Sequence, residues 1–249
     1  MDERATPEMQ DSEPQAEPGP SSGRHPIAAF WAWILPALLA MAVILPLRSA
    51  VADWNDVPSG SMWPTILEGD RIFVDKLAYG LRIPFTTWWL LQWDEPERGD
   101  VITFASPEDG TRLVKRVVAV PGDRIAMHDN HLTLNGESIA YDDLDAAGSR
   151  PAPDGRERSM LVAIEGLPGQ PHDVAFTQDL IGLDSFAELA VPEGHYFFLG
   201  DNRDQSYDSR FLGLAKRDEV YGRVTHVALS VDPERSFRPR FERWFTPIH

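Results

Sequence analysis

The stretch Leu113-Val114-Lys115-Arg116-Val117-Val118-Ala119-Val120 decides how the chain reads. Its β-branched residues, closed by the turn Pro121-Gly122-Asp123, mark a β-strand. Successive side chains of a strand face opposite ways, so Lys115 shares a face with Leu113, Val117 and Ala119 while Arg116 takes the other. Either that face is solvated or it buries a lysine. Burial disfavours the ammonium, and a fall of about two to three units from roughly 10.4 leaves a neutral amine near pH 7 to 8. A neutral amine is a general base for a hydroxyl.

Outward from this strand the pattern repeats. Arg71–Asp75 and Asp100–Phe104 precede it, and Arg124–Met127, His131–Leu134 and Glu137–Ala140 follow, punctuated by the turn pairs Asp129-Asn130 and Asn135-Gly136. Met160–Ile164, Asp173–Phe176, His195–Leu199 and Val224–Val231 complete the set, and no long amphipathic helix interrupts them. The fold class expected is mainly β: a curved antiparallel β-sheet catalytic domain over 48–121 and 191–249, a smaller β-hairpin cap over 122–190, and one transmembrane α-helix in front.

That helix comes from Pro26–Leu47, 22 residues without a charge. As a helix they extend about 33 Å, enough to cross a bilayer core of about 30 Å. Residues 1–25 are rich in Pro, Glu, Asp, Ser and Gly and read as a disordered tail. The tail carries six acidic residues against Arg4 and Arg24, which is not the basic leader of a cleaved signal peptide. Arg24 and Arg48 balance across the apolar run, so charge does not orient it. A net charge of −16 argues against nucleic acid as a partner. With no cysteine there is no disulfide, thiol nucleophile or thiolate metal site, and His128 and His131 offer at most adventitious metal binding; no cofactor is expected. In Pro84–Trp93, Trp88, Trp89 and Trp93 suit either a headgroup-level surface or a core.

Two further stretches carry chemistry. Val57-Pro58-Ser59-Gly60-Ser61-Met62-Trp63-Pro64-Thr65 is a loop in which Gly60 removes bulk and the prolines fix direction, so a serine hydroxyl stands clear of its backbone. Gly200-Asp201-Asn202-Arg203-Asp204-Gln205-Ser206-Tyr207-Asp208-Ser209-Arg210 departs from calcium-loop spacing and reads as a surface loop or as a wall cross-linked by carboxylate–guanidinium pairs.

Taken in order, PSGSMWPTILEGDRIFVDK, RGDVITF, the KRVVAVPGD run and GDNRDQSYDSR resemble the conserved boxes of bacterial type I signal peptidases, membrane-anchored Ser/Lys endopeptidases. The resemblance covers about 55–120 and 194–230, and nothing in Tyr141–Ala190 is placed by it. It implies that Ser61 is the nucleophile, Lys115 the general base and Ser59 the side-chain donor of the oxyanion hole, completed by the Ser61 N–H. It further implies that Ser206 orients the lysine, that Asp208 and Arg210 support it, and that Val57, Met62, Leu113 and Val114 line the substrate groove.

The implied function is removal of signal peptides from exported preproteins through an acyl-enzyme. The implied partners are the signal peptide, membrane lipid and, by proximity, the translocation machinery. The implied location is the bacterial inner membrane, single-pass, with the catalytic domain on the periplasmic or extracytoplasmic side. Two rivals stand beside it: a Ser/Lys maturation peptidase with a dedicated substrate, and a membrane-anchored β-rich assembly protein without activity.

Overall fold

Strands form where β-branched runs meet turn residues, and most lie where the sequence puts them. The structure, a computed structural model, describes residues 26–86, 88–151, 157–177 and 183–248; the expected tail at 1–25 lies outside them. Two compact units divide the chain, Met1–Val43 and Ile44–His249.

The first element is α1 (Pro26–Val51), so the apolar run is helical and continues past Leu47. Among the described residues, no helix is long and apolar enough to cross a membrane.

The strands are β1 (Ala52–Asp56), β2 (Asp70–Asp75), β3 (Gly80–Arg82), β4 (Trp89–Gln92), β5 (Val101–Ala105), β6 (Arg112–Ala119), β7 (Arg124–His128), β8 (His131–Leu134) and β9 (Glu137–Ser138). They continue as β10 (Tyr141–Pro151), β11 (Glu157–Glu165), β12 (His172–Thr177), β13 (Phe186–Ala190), β14 (His195–Leu199), β15 (Ala215–Lys216), β16 (Val220–Asp232), β17 (Arg238–Pro239) and β18 (Thr246–Pro247). The principal sheet is antiparallel with the order β1-β2-β16-β5-β6-β14-β15, and β17 and β18 pair with β16. A three-stranded sheet β10-β11-β12 and a four-stranded sheet β13-β7-β8-β9 lie in the region expected to be a cap.

Both faces of β6 are covered in its second half. Val117 packs with Phe104, Tyr196 and Phe198, whereas Val118 and Ala119 pack with Ile125, Leu132 and Leu199. The second of these cores joins the principal sheet to the β7–β8 hairpin. Burying each large apolar side chain contributes about 1.5–3 kcal/mol, so β6 is fixed from two sides.

Register then positions the chemistry. Lys115 lies opposite Ile102 on β5, and Arg116 lies opposite Leu199 on β14. The residues that follow Leu199 therefore leave the sheet beside Lys115. On the other flank β1 and β2 pair in unbroken register from Ala52↔Asp75 to Asp56↔Arg71, and the loop Val57–Gly69 joins them.

Several strands lie outside the runs read from the sequence, among them β1, β3, β4, β10 and β13. The tryptophan-rich stretch is the hairpin β3–β4, although it lacks strand alternation; Gly80 at φ 155° lets its backbone approach Leu91, where any side chain would collide. Within it Trp89 is half-buried, stacked under the guanidinium groups of Arg82 at 4.1 Å and Arg217 at 4.4 Å, so Trp89 serves packing while Trp88 and Trp93 are exposed. The strand β1 was not expected, because Ala-Asp-Trp-Asn-Asp has no β-rich pattern and is extended only through its pairing with β2.

Candidate active site

The serine loop is pinned by the residues that flank its hydroxyl. Val57, Met62 and Ile66 are buried in a cluster with Ile72, Val74, Val101 and Val224. Val57 donates its N–H to Asp70 O at 2.9 Å and accepts from Gly69 N at 3.0 Å, which closes the loop at its mouth. Inside, Trp63 N donates to Gly60 O at 3.0 Å and Ile66 N to Met62 O at 2.9 Å, giving a tight turn directly after Ser61.

Lys115 Nζ lies 2.6 Å from Ser61 Oγ. The lysine is 3% exposed, and burial drives its pKa down to about 8; Asp208 and Asp201 pull it back up and Arg210 pushes it further down. Desolvation wins over the two carboxylates, because neither makes direct contact with the amine while burial acts on all of it. At a pKa of about 8, roughly a tenth of the lysine is neutral at pH 7 and half at pH 8.

The acidic loop after β14 is a wall bonded to the serine loop. Asn202 donates its N–H to Ser61 O at 3.1 Å and its side-chain amide to Gly60 O at 3.0 Å. Asp201 accepts from Thr65 Oγ1 at 2.5 Å and, through both oxygens, from Arg116 Nε at 2.9 Å and Nη2 at 2.8 Å. Burial alone raises the Asp201 carboxyl, but the Arg116 guanidinium outweighs it and holds the group below the usual range. Asp208 accepts from Gly200 N at 3.1 Å and from Arg210 Nε at 2.8 Å and Nη2 at 2.9 Å, while Arg210 also donates to Arg203 O. A side-chain carbon on Gly200 would collide with Ser206 Oγ and with the Ser61 carbonyl, so the wall closes on the loop only with glycine there.

The residues singled out from the sequence converge. A groove of 490 Å³ is lined by Val57, Ser59, Ser61, Met62, Leu113, Val114 and Lys115 together with Trp54 and Arg112. Ser59 is exposed at its mouth. One expected contact is not seen: Ser206 Oγ is buried but has no hydrogen-bond partner among the described residues, so it makes no direct bond to Lys115. It packs against Gly200 instead.

Sequence reasoning also passed over Asp201, Asn202, Thr65 and Gly200. Their signal lay within the quoted boxes, but nothing local ties residues 136 or 142 positions apart. Among the described residues, no group of three or more acidic, histidine or cysteine residues is placed to hold a metal ion.

Comparison with known proteins identifies the family. Residues 30–229 match the family described as signal peptidase, peptidase S26. The signal peptidase I of Pseudomonas fluorescens is 35% identical over 214 residues, 81% of this chain and 73% of its own. That of Rickettsia bellii (strain OSU 85-389) is 35% identical over 78% of this chain and 71% of its own. A solved signal peptidase I from Enterococcus faecalis V583 aligns over 53% of this chain and 98% of its own, at 30% identity and a TM-score of 0.33.

Proposed function

Because the chain belongs to the signal peptidase family, peptidase S26, and is a serine endopeptidase, we propose that Ser61 is its nucleophile and Lys115 its general base. The observation that carries this assignment is the 2.6 Å approach of a buried lysine to the serine oxygen, with the amine held at about pKa 8. Ser61 Oγ attacks the scissile carbonyl as its proton passes to Lys115 Nζ. The oxyanion is met by Ser59 Oγ and the Ser61 N–H, a donor of this kind contributing about 3–4 kcal/mol. Lys115 then protonates the departing amine, which leaves an acyl-enzyme and a neutral lysine. Water attacks the ester, its proton passing to Lys115 Nζ and from there to Ser61 Oγ as the ester bond breaks and the acid product leaves.

Asp208 and Arg210 hold the wall behind the lysine, Ser206 packs within it against Gly200, and Val57, Met62, Leu113 and Val114 contact the residues before the cut. The substrate is the signal peptide of a preprotein with small residues before its cleavage site. No second group is needed to choose a tautomer, as a histidine base would require.

The same reading extends to location. Read from its 22 uncharged residues in the sequence, Pro26–Leu47 is the single anchor in the bacterial inner membrane, with 48–121 and 191–249 as the catalytic domain, 122–190 as its cap, and the site on the periplasmic or extracytoplasmic side near the translocation machinery. Lipid contact by the β3–β4 hairpin is supported by Phe85 and Trp88, each 72% exposed, and by the Phe85 N–H bond to Ser49 Oγ at the end of α1.

The test is cleavage of a preprotein by the detergent-solubilised enzyme. Ser61→Ala and Lys115→Ala are each expected to lower turnover by about 10⁴-fold or more. Processing by either variant at the wild-type rate sinks the assignment.

A further inference from the structure

The far end of the groove, beyond the apolar residues that flank Ser61, is crossed by a side chain. Arg112, at the start of β6, lines the groove with Trp54 and Asn55 of β1. In the sheet β1 and β6 are not neighbours, because β2, β16 and β5 lie between them. Their facing sides bound the groove. Arg112 Nη1 nevertheless reaches Asn55 Oδ1 at 2.8 Å and Asp53 Oδ2 at 3.1 Å, with its guanidinium 4.8 Å from the Tyr221 ring centre. The link therefore spans from one bank of the groove to the other, over an aromatic floor supplied by β16.

A peptide inserted as a strand between two others needs about 9.5 Å between them, twice the usual interstrand spacing. A strut tying the banks together holds that width and also occupies the space at its own level. Arg112 precedes Lys115 by three strand residues, about 10 Å. An extended substrate advances at the same rate, so the strut stands beside its fourth or fifth residue before the scissile bond.

We propose that Arg112 is a specificity-determining residue, a strut that excludes bulky side chains at the fourth and fifth positions before the cut. The proposal rests on the peptidase reading of the groove. The Arg112 side chain is 42% exposed and that of Asp53 28%, so the link is open to the groove rather than sealed in the core. Small residues leave the guanidinium in place, whereas a large one has to break the bonds to Asp53 and Asn55.

Two peptides test it with the full-length enzyme. They share one cleavage site of small residues and carry either glycine or tryptophan at both the fourth and fifth positions before the cut. The wild-type enzyme is expected to favour the glycine peptide by about tenfold in kcat/KM, equivalent to about 1.4 kcal/mol. In Arg112→Ala the ratio is expected to fall to within about twofold. In Asp53→Ala/Asn55→Ala, which frees the strut without removing it, the ratio is expected to fall in the same direction.

A wild-type enzyme that cleaves both peptides equally overturns the proposal. So does an Arg112→Ala variant that loses rate on both while keeping the tenfold preference, since the residue then acts only on the fold. Cleavage of neither peptide by the wild-type enzyme, when a preprotein is still cut, also overturns the strut while leaving the dyad standing. Failure on all three substrates overturns the peptidase reading itself.

Discussion

The serine loop and the tryptophan-rich hairpin β3–β4 are built from similar residues and are treated oppositely by the fold. Each combines Pro, Thr and Trp with aliphatic side chains. In the serine loop Met62 and Ile66 are at most 1% exposed, and the loop backbone is held from outside by Asn202 and, through Thr65, by Asp201. In the hairpin Leu90, Leu91 and Trp93 are 59%, 60% and 55% exposed. The difference is partnership. On the proposed reading, a nucleophile has to stay close to its base, which a packed and cross-bonded loop provides. A segment proposed to meet lipid leaves its apolar surface uncovered.

Breaking the better-held side has the largest effect. Asp201→Ala leaves Arg116, 0% exposed, without its carboxylate partner and takes the Thr65 bond with it. The expected loss is about 3–5 kcal/mol of stability, read as a lower midpoint of chemical denaturation. A midpoint equal to wild type means that the wall does not hold the loop.

The chemistry of the pinned loop has its own signature in pH. A lysine of pKa about 8 that acts as a neutral base gives activity that rises about tenfold from pH 6 to pH 7 and levels off above pH 8. The sign follows from the base being active when unprotonated. A flat profile across pH 6 to 9 contradicts the neutral-lysine mechanism.

The smallest effect on the fold is expected on the open side. Trp88→Ser/Leu90→Ser removes side chains that are 72% and 59% exposed, so stability stays within about 0.5 kcal/mol of wild type. Partition of the protein onto zwitterionic liposomes through this hairpin is expected to fall by about tenfold or more, since each buried large apolar side chain contributes about 1.5–3 kcal/mol. Unchanged partition takes the hairpin out of the lipid-contact reading.

Much of this was legible in the sequence because it is encoded locally. β7 and β8 follow from turn pairs between β-rich runs, and Asp129, Asn130 and Asn135 adopt the positive φ that such turns require. The Lys115 face followed from strand alternation, since its neighbours two residues away on either side are apolar. What escaped was set by partners distant in sequence. β1 has no β pattern of its own and is extended by β2. Trp89 lies in a run of exposed residues, yet Arg82 of its own hairpin and Arg217, far along the chain, cover it. The expected Ser206 contact is absent because Gly200 admits the serine against its backbone, a fit that spacing along the chain does not reveal.

The passage from α1 to β1 leaves no slack. Val51 ends the helix and Ala52 begins the strand, while Lys76 donates its N–H to Val51 O and its Nζ to Ser49 O, each at 3.0 Å. Five consecutive pairs then run to Asp56. One residue added at this joint has nowhere to go except into β1, where a slip of one position turns every side chain to the opposite face. Asp53 and Asn55 would exchange faces with Trp54, and the groove would lose one bank. Chain length is therefore a fixed quantity here, as tightly specified as any side chain in the site.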